Sequence, residues 1–464
     1  MLHLAALALA ATVVPSPAPP LRPGADFFAA HRQRFVDKLP AGAVAVFRSA
    51  PETSVETTPD PYRQDSSFWW LTGFGEPNAV AVLRKGERGP RFVLFVPPRD
   101  PQAEQWTGWR AGIEGATKGF RADEAYGNDE VWKKLPELWR GAGSLVVSDG
   151  GDAAFRAKLL EAWNPSDANA TEPRPIVDAA PIVNQLRLVK DATEIALLRR
   201  AAQLSAEAHV EAMRKTKLGA YEYSLKGAMV GACLAGGATR MAYPPIVGGG
   251  RNSVILHYVN DDAILEAGAM IVNDTACEYE LYAADVTRSY PVSGRFTPEQ
   301  RAIYEIVLAA QKAGFAQVKP GSAFRDVHLA TAEVVVDGLL KLGLLTGDRK
   351  EILEKRGYQK FYPHGSSHWI GMNVHDVGSY GLPEGVDRLE RYGKAMTKLE
   401  PGMLLTVEPG IYVPEGSTPD KKWWNLGVRI EDVALVTPGG MECLSCAAPR
   451  ELADVERTIA GKGR

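Results

Sequence analysis

Residues 270–291 read MIVNDTACEYELYAADVTRSYP, and this stretch decides how the C-terminal half folds. Two short apolar, β-branched runs flank the polar centre CEYELYAA, a pattern that predicts a hairpin turning at Tyr279-Glu280. That register sets Asp274 directly opposite Asp285, with their Cβ atoms about 5 Å apart. Like charges so placed destabilise a hairpin, and a cation between them removes the repulsion. The alternative is a pair of solvated aspartates on an exposed hairpin, which the apolar flanks oppose.

Further along, His364, His368 and His375 fall within twelve residues of a chain that has eight histidines in all. Such clustering suggests one metal ligand and two groups that support it or face a substrate. The spacing of His364 and His368 on a helix would suggest a zincin, but no Glu follows His364, and Gly365 and Gly371 argue against a stable helix. Glu408 ends the apolar run MLLTV, just before Pro409-Gly410, where a carboxylate can face a cleft. Glu431 lies in GVRIEDVALV, and alternation over a single strand places it on one face with Arg429 and Val433. There, Arg429 is expected to favour the ionised form of Glu431. Either glutamate taken alone is more often structural than catalytic.

Together these residues form a coherent donor set. Asp274, Asp285, Glu408 and Glu431 carry four negative charges, and His368 adds one imidazole. Buried side by side, four carboxylates raise one another's pKa and resist burial. Two divalent cations balance them. An oxygen-rich set with one nitrogen suits Mn²⁺, with Co²⁺ or Zn²⁺ as the other candidates. Two such ions can share a hydroxide and polarise a carbonyl, so the expected chemistry is hydrolysis by a metal-bridged hydroxide without a covalent enzyme intermediate. No GxSxG elbow supports a serine hydrolase.

Composition sets the frame. A chain of 464 residues suggests two domains. Apolar residues at 45% and charged residues at 23% are ordinary for a soluble globular protein. A net charge of -3 leaves no basic footprint for nucleic acid. No run of 18 or more apolar residues calls for a membrane span. Residues 1–24 open with the apolar LHLAALALAATVV and continue into SPAPP, the pattern of a secretory leader followed by a Pro-rich spacer. Only His3 stands where such leaders carry Lys or Arg, so an N-terminal extension or a misassigned start is the other reading. The leader implies a periplasmic or secreted protein; without it the protein is cytoplasmic. Of the four cysteines, Cys443 and Cys446 form a lone CxxC, a weak metal signal. They read as loop or strand cysteines without a catalytic role, or as a local disulfide if the protein is exported.

The fold class is α/β (α+β), with residues 25–185 as an N-terminal α/β domain and 186–464 as a catalytic domain. FFAAHRQRFVDKL reads as an amphipathic helix, and AGAVAVFRS, AVAVLRK, RFVLFVP and SLVVSDG read as strands. The aromatic segment PYRQDSSFWWLTGF reads as core packing or a ligand wall. Residues 172–190, rich in Pro and Val, look like an extended connection. Asp191 with Glu194, and Thr297 with Gln300, mark capped helix starts. Helices are expected over 299–317 and 323–342, and strands over 254–258, 269–276, 281–290, 403–407 and 428–437.

The segments GGGRNSVILHY, NDTACEYELYAADVTRSYPVSGRF, HGSSHWIGMNVHDVGSYG, LEPGMLLTVEPGIYV and GVRIEDVALVT resemble, in order, the motifs of the Xaa-Pro aminopeptidase (aminopeptidase P) branch of the pita-bread metallopeptidases. PYRQDSSFWWLTGF and AEQWTGWRAG resemble the N-terminal domain of that branch, so the likeness runs from about residue 30 to 455. The resemblance implies a C-terminal pita-bread domain whose metal ligands are Asp274, Asp285, His368, Glu408 and Glu431. It makes Asp285 and Glu431 the bridging acids and gives Glu408 the proton of the nucleophilic water. It places His257 and His375 near the scissile carbonyl, with His364 and Arg429 in support. The implied substrates are peptides with proline second, cleaved after the first residue, and family members often form dimers or tetramers. Thr275-Ala276, Ser366 and Asn373 depart from the usual pattern without removing a ligand, and they bear on the substrate pocket.

Three other readings share parts of this pattern. An Xaa-Pro dipeptidase (prolidase) has the same fold and ligands, although HGSSHW and CEY look more like the aminopeptidase. Methionine aminopeptidases do not need so large an N-terminal domain. A catalytically silent peptide-binding homologue is expected to have lost ligands, and this chain keeps all five. Trp106 and its aromatic neighbours read either as a subunit contact or as buried intrachain packing.

Overall fold

A computed structural model describes residues 21–52, 62–87, 89–164, 174–381 and 397–461. The leader reading of residues 1–24 falls outside these, apart from its last four positions. The N-terminal half is built on a six-stranded mixed sheet, in the order Glu124–Gly127, Gly89–Val96, Val80–Gly86, Ala43–Arg48, Ser144–Ser148, Ile176–Asp178. Alternate side chains of the central strands enter two different cores. Ala45, Phe47, Ala81 and Leu83 join one cluster, while Val44, Val46, Val80 and Val82 join the other. Burial on both faces explains why these strands read as near-continuous apolar runs rather than as an alternation. The aromatic segment is core: Phe68, Trp70, Leu71 and Phe74 are fully buried.

The stretch 172–190 is not simply extended. Ile176–Asp178 adds an edge strand to the N-terminal sheet, and Ala180–Leu188 is a helix. Asp178 Oδ1 accepts from Ala180 N at 2.9 Å one residue before the N-cap, and Pro181 sits in the first helical turn, so a helix-start signal was present within the Pro-rich run. The boundary expected after residue 185 falls inside this helix.

In the C-terminal half, small antiparallel sheets line the centre and long helices cover them. Ala192–Lys215 and Pro298–Phe315 start with the predicted capping boxes, Asp191 with Glu194 and Thr297 with Gln300. Pro298–Phe315 and Phe324–Lys341 match the expected helices to within two residues. Ile303 and Val307 of the first and Val335 and Leu339 of the second pack in one core with Ile411, Val413 and Val428 of the strands. Several contacts among the described residues fasten the halves together. Glu194 accepts from both Trp70 Nε1 and the Tyr282 hydroxyl, and the His31 ring bridges the Trp70 carbonyl and Asp191.

Three strand expectations are corrected. Residues 254–258 are not a strand; a 3-10 turn over Gly250–Val254 leads into a loop. The 281–290 stretch is two strands, Tyr282–Ala283 and Thr287–Pro291, and 428–437 is split into Leu426–Arg429 and Asp432–Thr437. The last two strands belong to different sheets, one pairing with Gly410–Val413 and the other with Leu404–Val407, so the chain changes partner at Ile430-Glu431. The hairpin register is also shifted. Asp274 faces Thr287, not Asp285, and Tyr279 pairs with Tyr282 around a turn at Glu280-Leu281, both with positive φ. The physical reason is burial. Tyr279 and Tyr282 are both buried in the ladder, while Glu280 and Leu281 take the more exposed tip.

Cys233 is bonded to Cys277, and Cys443 to Cys446. The first bridge ties the helix Glu222–Ala235 to the hairpin. Closing its 44-residue separation stabilises the fold by about 4 kcal/mol on the chain-entropy account.

Candidate metal centre

Each candidate ligand sits where backbone pairing between neighbouring segments delivers it. Asp274 ends the strand Met270–Asp274, and Asp285 lies in the gap before Thr287–Pro291. In the observed register they are diagonal rather than direct neighbours, still on one face. Residues 366–370 run alongside Leu404–Val407, with Thr406 N bonded to His368 O at 3.0 Å and Glu408 N to Ser366 O at 2.8 Å. That pairing sets His368 beside Glu408. Glu431 N bonds Thr287 O at 3.1 Å, which hangs the second glutamate on the hairpin. Asp285, His368 and Glu431 each offer a donor atom within 4.8 Å of the other two. The five candidate ligands border one cleft of about 350 Å³ together with His257, His364, His375 and Arg429; Thr275, Ala276, Ser366 and Asn373 do not line it.

The polar contacts show how crowded with acceptors this cleft is. The Tyr243 hydroxyl, with one hydrogen to give, lies 2.6 Å from Asp274 Oδ1 and 2.7 Å from Asp285 Oδ1. Arg429 donates to Asp274 Oδ2 at 2.6 Å and to the Tyr412 hydroxyl at 2.7 Å. It reaches Glu431 through Thr287, whose hydroxyl donates to Glu431 Oε2 at 2.6 Å. His368 Nε2 lies 3.2 Å from Asp285 and 3.6 Å from Glu408. Its Nδ1 donates to the Trp369 carbonyl at 3.0 Å, which fixes Nε2 as the atom facing the acids. His364 Nε2 is 2.9 Å from the Tyr412 hydroxyl.

Electrostatics follow from that crowding. Burial, with Asp285, Glu408 and Asp274 adding to it, holds the Glu431 carboxyl well above its ordinary range. Arg429 pulls Glu431 toward the ionised form, as expected from their spacing, but burial and the other acids outweigh it, and its direct carboxylate contact is with Asp274. Burial also raises Asp274 despite Arg429. Glu408 is pushed up to about 7 by burial, which together with Asp285 and Asp274 outweighs the opposing pull of His368 and Arg429. Burial alone would lower His368, but the Asp285 hydrogen bond and the charges of Glu408 and Asp285 raise it to about 9. His364 falls to about 3 through burial and the charge of Arg429, so it is neutral. Without metal the cluster therefore holds protons that a cation would displace. Four carboxylates and an imidazole turned into one cleft, with a single arginine against them, form a donor set that fits divalent cations.

A model of metallopeptidase family M24 matches residues 196–438, and one of the aminopeptidase P N-terminal domain matches residues 28–147. The chain belongs to metallopeptidase family M24. The M24 peptidase is 35% identical to the Xaa-Pro aminopeptidase of Haemophilus influenzae over 94% of its own length and 97% of that protein. It is 37% identical to the Xaa-Pro aminopeptidase of Escherichia coli over 92% of its length and 96% of that protein. The solved structure of Pseudomonas aeruginosa aminopeptidase PepP superposes with a TM-score of 0.89 at 39% identity, covering 95% of this chain and 99% of that one. Both the two-domain α/β architecture and the pita-bread catalytic fold of the aminopeptidase P branch are thereby established.

Several residues of the M24 cleft were missed by sequence reasoning. Tyr243 follows a two-residue strand in MAYPP, where nothing local marks it. Tyr412 had a usable signal: the strand Gly410–Val413 pairs with Leu426–Arg429, which brings its hydroxyl within reach of Arg429. Thr287 stands opposite Asp274 in the true register, and the misplaced turn concealed it.

Proposed function

We propose that this M24 peptidase is a hydrolase that removes the N-terminal residue from peptides whose second residue is proline. The observation that carries the reading is the conjunction of the four-acid, one-histidine cleft with full-length similarity to Xaa-Pro aminopeptidases. In this reading Asp274, Asp285, His368, Glu408 and Glu431 would hold two divalent metal ions. The oxygen-rich donor set favours Mn²⁺. When bound, such ions supply Lewis acidity toward the scissile carbonyl and the attacking water.

The remaining chemistry falls to the chain. Glu408 takes the proton of the water at its carboxylate and returns it to the leaving nitrogen. That nitrogen belongs to proline and has no N–H of its own in the substrate. His257 and His375 face the scissile carbonyl across the cleft they both border. Arg429 fixes the orientation of Asp274 and of Tyr412. Neutral His364 receives the Tyr412 hydroxyl proton at Nε2 and keeps that side of the cleft polar without adding charge. A side cavity of about 310 Å³, bordered by Tyr243, Ile246, Val259 and Val374, offers an apolar wall to the first side chain.

The aminopeptidase reading is favoured over an Xaa-Pro dipeptidase and over a silent homologue. A panel of Xaa-Pro dipeptides, longer Xaa-Pro peptides and Xaa-Ala controls, run with Mn²⁺, Co²⁺ and Zn²⁺, tests it. Cleavage of the longer Xaa-Pro peptides is expected; turnover of dipeptides alone would contradict it.

Export to the periplasm or outside the cell is supported by the pairing of all four cysteines, and a thiol count on protein isolated without reductant should find none. No helix among the described residues is long and apolar enough to cross a membrane. Trp106 and Trp109 are 89% and 85% exposed, which removes the buried intrachain reading and supports a subunit contact in a dimer or tetramer. A Trp106→Ala/Trp109→Ala protein that sediments at a lower mass than the wild type would bear this out. The domain boundary near residue 185 lies inside the helix Ala180–Leu188, which follows the last strand of the first half's sheet, Ile176–Asp178.

A further inference from the structure

The segment just before the helix Ser66–Thr72 lies far from the ligands in sequence, yet it grips the loop that carries His375. Arg63 donates through Nη2 to the Met372 carbonyl at 2.6 Å and through Nε to Glu278 at 2.7 Å. Its Nη1 donates to Ser66 Oγ at 3.2 Å, and Ser66 donates to Asn373 Oδ1 at 2.9 Å. Arg187 completes the contact. Its Nη1 donates to Ser67 Oγ at 3.1 Å, and its Nη2 to Asp376 Oδ1 at 2.7 Å. Lys190 takes the other oxygen of Asp376 at 3.1 Å, and all three charged side chains are almost wholly buried.

The loop has little freedom left. Asp376 N bonds Trp369 O, and Gly371 O accepts from Ala283 N in the metal-site hairpin. A Cβ on Gly371 would lie 2.1 Å from Asp376 Oδ2, so the loop closes tightly round that carboxylate. Burial would raise Asp376, but Lys190 and Arg187 hold it below its ordinary range, so it stays ionised and fully paired. His375, one residue earlier, packs its ring 4.2 Å from that of His368. Arg63 thus joins two chain segments, the hairpin through Glu278 and the His375 loop through Met372.

We propose that Arg63 and Ser66 of the N-terminal half are positioning residues for His375, acting through the 371–376 loop anchored at Asp376. The proposal rests on the reading of His375 as a group that touches the substrate. It assigns the N-terminal half a part in the chemical step, in addition to any part in shaping the cleft. The expected loss is one of orientation, since small misplacement of a reacting group costs rate far more than binding.

A double-mutant cycle on the full-length, metal-loaded enzyme tests this, using Arg63→Met, His375→Ala and the pair. Arg63→Met should lower kcat by about tenfold while KM and metal affinity change less than about twofold. In the His375→Ala background the same substitution should change kcat by less than about twofold. A full tenfold loss in both backgrounds would overturn the proposal, as would weakened metal affinity with unchanged kcat at saturating metal, which would place the effect at Glu278. If Arg63→Met fails to fold, Ser66→Ala removes the bonds to Asn373 Oδ1 and from Arg63 Nη1 but leaves Arg63 on Met372 and Glu278, and should show a smaller loss of about threefold that also vanishes beside His375→Ala. No loss from Ser66→Ala, or the same loss in both backgrounds, would overturn it. Full activity in His375→Ala alone would overturn the functional reading of that histidine, and the proposal with it.

Discussion

Glu431 and Asp432 are adjacent in the chain and both are buried, yet their environments push them in opposite directions. Glu431 faces Asp285, Glu408 and Asp274, and its carboxyl is held well above the ordinary range. Asp432 faces Arg288 and Arg450; burial would raise it, but these charges hold it below that range. Arg288 is itself fully buried and also donates to the carbonyls of Thr287, Glu431 and Ala448. One side of this chain segment is thus a surplus of negative charge, and the other is a closed ion-pair network. The Arg187–Asp376–Lys190 triad repeats the closed pattern behind His375. The comparison separates buried acids that serve the scaffold, which come with their cations, from buried acids that await them.

Substitutions on the two sides should fail in different ways. Glu408→Gln, on the open side, should reduce kcat by about 10²–10⁴-fold through loss of the proton carrier, with the fold intact by circular dichroism. Asp432→Asn, on the closed side, should destabilise by about 3–5 kcal/mol because it strands Arg288, as measured by urea unfolding. Its surviving folded fraction should still bind metal. A stable Asp432→Asn protein that had lost metal would erase the distinction. Thr287→Val, between the two sides, should weaken metal binding by about 10–100-fold through the lost bond to Glu431, as read by competition with a chelating dye.

The smallest effect is in the pH dependence of the metal-free protein. In metal-free protein His368 titrates at about 9, above its unfolded value, so its contribution is present below about 6.5 and lost as pH rises toward 9. Glu408, at about 7, loses its contribution between about 4.5 and 7. His209, His328 and His364 have lowered values near 3 to 4 and act oppositely below about 6.5. The window from pH 6.5 to 9 is therefore the clearest. There the melting temperature of chelator-treated protein should fall with pH, while that of metal-loaded protein should not.

Much of this organisation was legible in the sequence. The four acids and the histidine that meet in the cleft could be picked out because each stands in a short, unusual context, and their summed charge pointed to cations. The two capping boxes were readable because a side chain meets its own backbone three residues away. The hairpin register was not, because its turn is set by tertiary burial of Tyr279 and Tyr282 rather than by a Gly or Asn at the tip. The break in GVRIEDVALV was hidden for a related reason: Leu426 to Val436 is buried throughout, so no alternation marks the change of sheet. Tyr243 and the Arg187–Asp376 pair come from segments far apart in the chain, and only the fold brings them to the cleft and its supporting loop.

The central claim is that the open side of this structure is a cation site that drives hydrolysis of Xaa-Pro peptides. Titrating chelator-treated protein with Mn²⁺ by calorimetry, in buffers of different ionisation enthalpy and with parallel assay on an Xaa-Pro peptide, tests it most directly. The expected result is two ions bound per chain, protons released on binding, and activity that returns with the ions. Stoichiometric binding of no ion, or full peptide hydrolysis by protein shown to be metal-free, would contradict it.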